Sequence, residues 1–250
     1  MSRVGCSYNY HGTGRQVFFD TATHEILQIM SPVFYKNDFL NPVLDETNDV
    51  ETAEEGTANA IAIQVLTNGY VRVNTGTEAD KRNVVAGELI LEAENELIFQ
   101  CKLHTTTSDT ALLLFAGLNE AKAEATGKMP IKDDSHATGT IDAWADDCVG
   151  FGVRAETSDN IYAVSCKNTA TPQSTDTGYN LTLATDYIFE IILDANGKAL
   201  FYIDGNQVAT HSAAITATDP LCWLVGGLIT AGSTAALIDL DYVLFGQNRS

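Results

Sequence analysis

Positive charge is what this chain has least of. It carries 14 Lys and Arg against 33 Asp and Glu, a formal net charge of -19 over 250 residues. A field of that sign repels phosphate backbones and anionic bilayers. The largest basic cluster to offset it is the pair Lys81-Arg82, so binding to nucleic acid or to a membrane surface is not expected. Long apolar runs are missing too. Nothing approaches the roughly 18 residues of a membrane span. The first residues, MSRVGCSYNYHGTG, lack the apolar core of a signal peptide, and synthesis and folding in a cytoplasm are expected.

Close cysteine pairs are absent as well. The five cysteines are Cys6, Cys101, Cys148, Cys166 and Cys222. An odd count, wide spacing and no CxxC argue against a zinc site or a disulfide framework. Cys101, Cys166 and Cys222 lie in apolar runs and are read as reduced core residues. His11, His24, His104, His136 and His211 show no paired metal spacing. GxSxG, P-loop and dinucleotide signatures are missing, and Gly12-Thr13-Gly14 is too short to serve as one. His104 and His211 end strands and are expected at the surface. No cofactor is therefore expected, although the acidity itself would suit Ca²⁺ or a basic partner as well as solubility.

Turns and short strands are what the chain has in abundance. From Asp186 to His211 an apolar run ends at Asp194, and Ala195-Asn196-Gly197-Lys198 turns it back. Ala199 to Ile203 follows, and Asp204-Gly205-Asn206 turns again. Asn-Gly and Asp-Gly tolerate the positive φ of tight hairpins, so this is a meander. Ile61 to Val65 and Tyr70 to Val73 read as a hairpin about Asn68-Gly69. Leu97, Phe99, Cys101 and Leu103 share one face under period 2. Ala111 to Phe115 is a continuous apolar run suited to a central strand. Cys148 to Val153 and Asn160 to Cys166 form a second hairpin. Gly226-Gly227, inside the strand Leu221 to Ile229, marks a bulge or a close backbone approach. Leu237 to Phe245 alternates, with Ile238, Leu240, Tyr242 and Leu244 on one face and Asp239 and Asp241 on the other. The only good helix former is Gly117 to Thr126. Roughly eleven to thirteen strands at short intervals predict an all-β antiparallel sandwich.

Residues 1–55 differ from the remainder. They hold Tyr8, Tyr10, Phe18, Phe19, Phe34 and Tyr35, interrupted by Pro32 and Pro42. Gln16 to Phe19 suits a short strand and Thr23 to Met30 a helical turn, while 45–55 reads as an exposed acidic loop. The predicted organisation is an N-terminal arm and acidic loop over 1–55, then a jelly-roll β-sandwich over 56–250. The arm's aromatics are candidate partner-binding residues. Packing on the chain's own sandwich is the equal alternative.

The strand order Cys148–Val153, Asn160–Val164, Tyr187–Ile191, Ala199–Gly205, Ile238–Val243 resembles the concanavalin A-like lectin/glucanase (laminin-G-like) jelly roll. More narrowly, it is similar to the versions found in tailed-phage virion proteins. The likeness spans about residues 60 to 246 and is specific across 148 to 246. Glycosidases of the family carry E-x-D-x-x-E or E-x-D-x-E on one strand of the concave face. Here the nearest match is Asp239-x-Asp241, without a flanking glutamate. Lectins of the family hold Ca²⁺ with clustered Asp and Asn beside an aromatic platform. Asp142, Asp146 and Asp147 near Trp144 imitate that, which makes Trp144 the candidate glycan-binding residue. Trp223, inside an apolar strand, reads as core.

The resemblance implies a non-enzymatic virion structural protein. It would be a decoration or auxiliary protein on a phage head, docked on the major capsid protein. A homo-oligomer is expected, and a trimer would suit three-fold sites on a shell. The alternative is a lectin-like carbohydrate-binding module for adhesion, free or displayed on a virion. A glycoside hydrolase is the least expected reading, because the carboxylate pair is missing from the motif position.

Overall fold

Period-2 alternation sorts these residues into layers. A computed structural model describes residues 5–9, 16–20, 25–27, 33–39, 51–54, 60–64, 69–88, 90–107, 111–120, 130, 147–154, 158–167, 171–230 and 234–248. Its strands are β1 (Gly5–Asn9), β2 (Gln16–Asp20), β3 (Glu25–Leu27), β4 (Val33–Asn37), β5 (Glu51–Glu54), β6 (Ala60–Gln64), β7 (Tyr70–Asn74), β8 (Lys81–Ala86) and β9 (Leu97–Thr107). They continue as β10 (Leu112–Asn119), β11 (Cys148–Arg154), β12 (Ser158–Cys166), β13 (Gln173–Asn180), β14 (Tyr187–Leu193), β15 (Ala199–Ile203), β16 (Asn206–His211), β17 (Cys222–Ile229) and β18 (Leu237–Gln247). Among the described residues, a 3-10 turn at Ala93–Asn95 precedes β9.

Two antiparallel sheets form a sandwich. One runs β13-β12-β11-β10-β17-β8-β5, the other β16-β15-β14-β9-β18-β7-β6, with β4 also paired to β18. Leu97, Phe99, Cys101 and Leu103 of the second sheet meet Leu112, Leu114, Ala116, Val149, Phe151 and Trp223 of the first in one buried core. Phe151 stacks on Phe189 at 4.5 Å and meets Phe201 edge-on at 5.6 Å, tying the two layers together. The expected all-β jelly-roll sandwich is therefore present, and Trp223, 1% exposed, is core. Cys101, Cys148, Cys166 and Cys222 are buried and form no disulfide.

Both hairpins and the meander pair as the turn residues predict. β10 lies at the centre of its sheet. Gly226-Gly227 causes no register shift. The pair marks close approach instead, because a Cβ on Gly226 would run into Asn83 and Val84 of the neighbouring strand.

Several expectations need correction. Within the helical turn expected over Thr23 to Met30, the described residues Glu25–Leu27 are a strand paired with β2 instead. Gly117 to Asn119 belongs to β10, where neighbours on both sides satisfy the backbone. Acidic Glu51–Glu54 is an edge strand on β8, and polar Gln173–Asn180 is the opposite edge. Edge strands need little apolar surface, so neither shows the alternation that betrays central strands. The sandwich also begins before residue 56, because β4 and β5 join its sheets and Phe39 is buried in its core. Residues ahead of them form a separate three-stranded sheet, β1-β2-β3.

Candidate functional site

The outer face of the second sheet carries the polar residues that alternation leaves over. On β9, Cys101 and Leu103 point into the core, so Lys102 and His104 point outward. On β7, Val71 and Val73 are core, leaving Tyr70 and Arg72 outside. β18 departs from strict alternation. Its pairing with β9 shifts between Leu240 and Tyr242. Ile238, Leu240, Val243 and Phe245 then face the core. Tyr242 and Leu244 join Ile98, Ile192 and Tyr202 in an outer cluster. The expectation that Ile238, Leu240, Tyr242 and Leu244 share a face is corrected by this bulge, which adds a residue and reverses the pleat.

The result is a ladder of carboxylates alternating with side-chain nitrogens. Arg72 grips Asp239 with Nε to Oδ1 at 2.7 Å and Nη2 to Oδ2 at 2.8 Å. His104 faces Asp239 through Nε2 at 3.4 Å and Asp186 through Nδ1 at 3.0 Å. Lys102 reaches Asp186 at 3.1 Å and Asp241 at 2.8 Å. Tyr70 closes one end, its ring edge-on to His104 at 6.1 Å and 5.6 Å beneath the Arg72 guanidinium. The hydrogen bond to Asp239 raises the Arg72 pKa. Burial pulls Lys102 down, but Asp241 and Asp186 outweigh it and the net shift is upward. Both cations therefore stay charged at any physiological pH.

The two aspartates of the Asp239-x-Asp241 motif differ. Asp239 is fully buried and bidentately paired, whereas the Asp241 side chain is 34% exposed and bonded to Lys102 alone among the described contacts. Farther along the face, Tyr242 donates to Gln100 Oε1 at 2.9 Å, and Gln100 donates to Glu190 Oε2 at 3.0 Å. Burial pushes the Glu190 carboxyl up to about 7, against the opposing hydrogen bond from Gln100. A carboxyl that exchanges its proton near neutrality is the chemistry of a general acid.

The other predicted site residues fall elsewhere. Trp144, Asp142, Asp146 and Tyr10 lie outside the described residues. Tyr8 is on β1, Phe18 and Phe19 on β2, and Phe34 on β4. Tyr35 stacks on Phe245 at 4.9 Å, so this member of the arm packs against the chain's own sandwich. Asp147 is buried at the start of β11, in the first sheet. His211 is no surface residue. It is 3% exposed, between Ser165 and Thr175. Sequence reasoning missed Tyr70, Arg72, Lys102, Asp186 and Glu190. The available signal was a polar side chain at every second position of an otherwise apolar strand.

Comparison of the sequence with protein-family models and with curated proteins finds no match. The fold, by contrast, is shared. A Shewanella oneidensis protein of unknown function is 19% identical, superposes with a TM-score of 0.58, and is matched over 89% of this chain and 90% of its own. A Bacillus licheniformis β-glucanase is 9% identical with a TM-score of 0.57, over 86% and 98% of the two chains. A Bacteroides ovatus glycoside hydrolase family 16 protein, solved with a glucan product, is 9% identical with a TM-score of 0.58, over 84% and 99%. At such identity the likeness establishes the concanavalin A-like jelly roll and nothing finer. The expectation that the chain is no enzyme is corrected on that ground alone: several glycoside hydrolases share this fold, so the fold does not exclude catalysis. That expectation rested on a missing linear motif. A sheet face can collect carboxyls from separate strands, as this one collects Asp186, Glu190, Asp239 and Asp241.

Proposed function

We propose that the chain is a carbohydrate-recognising jelly roll, with its ligand lying across the Tyr70–Arg72–His104–Lys102 track. The ladder of Arg72, Asp239, His104, Asp186, Lys102 and Asp241 carries this reading. Sugar hydroxyls are donors and acceptors at once, and a row of carboxylates alternating with the nitrogens of Arg72, His104 and Lys102 offers both partners along a line. Tyr70 supplies an apolar ring face for a pyranose beside them. The concanavalin A-like fold is one on which the named glucanases act on glycans, which supports the choice of ligand class.

The test is retention on immobilised β-glucans and a glycan array, with reducing-sugar release measured on the same polymers. Binding that drops at least tenfold in Lys102→Ala and Tyr70→Ala is the expected result. Sugar release lost in Glu190→Gln would extend the reading to hydrolysis. Retention unchanged in both surface variants, or no retention on any glycan, overturns it.

A second reading, compatible with the first, is display on a virus particle. Among the described residues the sheet β1-β2-β3 pairs with neither sheet of the sandwich, and a sheet edge is a surface to which another chain can add a strand. In this reading that sheet docks on the major capsid protein and the acidic sandwich projects outward. Quantitative mass spectrometry of purified particles decides it. Copies in the hundreds per particle support a head decoration protein, a few copies a tail component, and absence removes the reading.

A further inference from the structure

Three strands of the first sheet end together. Asn119, the last residue of β10, is paired with Cys148 at the start of β11 and with Cys222 at the start of β17. Glu120 and Asp147 flank those ends, and the Glu120 amide donates to the Asp147 carbonyl at 3.0 Å. The loop entering β17 contributes Thr216 and Asp219. Side-chain oxygens of Glu120, Asp147 and Asp219 all lie within 4.8 Å of one another.

Asp147 makes this more than an acidic cluster. It is fully buried. Its Oδ1 accepts a hydrogen bond from the Thr216 amide. Its Oδ2 is buried beside the other carboxylates and has no hydrogen-bond partner, and neither has the buried hydroxyl of Thr216. An unpartnered buried carboxylate oxygen costs several kcal/mol, and two further carboxylates nearby add repulsion. A proton would relieve part of that strain. A divalent cation would supply both the missing partner and most of the compensating charge.

We propose that Glu120, Asp147 and Asp219, with the Thr216 hydroxyl, form a calcium site at this rim of the sandwich. All these donors are hard oxygens, which select alkaline-earth ions over zinc or copper. They come from three separate segments, and calcium accepts such irregular geometry where magnesium demands a near-ideal octahedron. The ion would bind three chain segments at the end of β10, β11 and β17. It lies on a different sheet from the glycan track and does not depend on that reading.

The test is calorimetric titration of EGTA-treated protein with Ca²⁺, and with Mg²⁺ as comparator, alongside thermal unfolding. The expected result is about one Ca²⁺ bound per chain, with a Tm rise of several degrees at saturation. Weak or no response to Mg²⁺ is expected. Asp219→Asn and Glu120→Gln, both at partly exposed positions, should lower Ca²⁺ affinity at least tenfold while leaving the Tm in EGTA unchanged or higher. No heat and no Tm shift at millimolar Ca²⁺ would overturn the site. So would undiminished binding in both variants. A Tm in EGTA that falls with rising pH and ignores Ca²⁺ would mean a shared proton instead, and also overturns it.

Discussion

His211 sits between Ser165 Oγ at 2.8 Å and Thr175 Oγ1 at 3.0 Å, with its ring against Phe201. Burial lowers its pKa from 6.5 to about 4. The unfolded chain therefore binds a proton that the folded chain refuses, and stability is lost as pH falls from about 6.5 towards 4. Glu190 has the opposite sign. Its pKa rises from 4.5 to about 7, so the folded chain holds the extra proton. That contribution is fully present below pH 4.5 and is lost as pH rises through 7. Glu190→Gln should therefore stabilise the protein at pH 8 by on the order of 2–3 kcal/mol, and move the stability optimum upward. Denaturant unfolding at pH 5, 6.5 and 8 checks it, and equal gains at all three would contradict the assignment. His211→Gln should flatten the acid limb between pH 4 and 6.5. Neither shift is legible in sequence, because both arise from burial.

At the scale of the element, β18 carries the most information. Its pairing with β9 and β7 puts Asp239 under the Arg72 guanidinium, and the bulge after Leu240 turns Tyr242 and Leu244 outward. Arg72→Ala would leave Asp239 buried with only His104 for a partner. A loss of about 2–4 kcal/mol is expected, somewhat below the figure for a fully buried pair because Arg72 is partly exposed. Arg72→Met combined with Asp239→Leu should recover most of it, and urea titration of the three proteins gives the comparison. β9 was readable from its alternation and β10 and β14 from their apolar runs, because each lies between two other strands of its sheet. β5 and β13 were not, because an edge strand is held by backbone hydrogen bonds that leave no mark on composition. Nor was the bulge, which one extra residue creates without changing residue types.

For the whole molecule, the boundary between arm and sandwich decides which truncations are informative. Removal of residues 1–32 takes away β1-β2-β3 and spares β4. This truncation should unfold cooperatively with little change in Tm. Removal of 1–40 also deletes β4, the Tyr35–Phe245 stack and buried Phe39. A Tm lower by roughly 5–10 °C is expected, from the loss of one large buried side chain and a paired strand. Thermal unfolding of both proteins distinguishes these outcomes. If the shorter truncation keeps its stability but no longer binds particles, the three-stranded sheet is the attachment element.

Turn residues and period-2 alternation were sufficient to determine the all-β sandwich, its central hairpins and the core placement of Trp223 and Cys101. Those signals are local: a positive φ at Asn-Gly or Asp-Gly, and apolar side chains at i and i+2, act within a few residues. The charged track and the Glu120–Asp147–Asp219 rim were decided only by the tertiary structure. Their members come from strands distant in sequence, and no spacing encodes which strand lies beside which. Asp239 illustrates the difference. In sequence it is half of a short acidic motif, but in the fold it is the buried partner of an arginine 167 residues away.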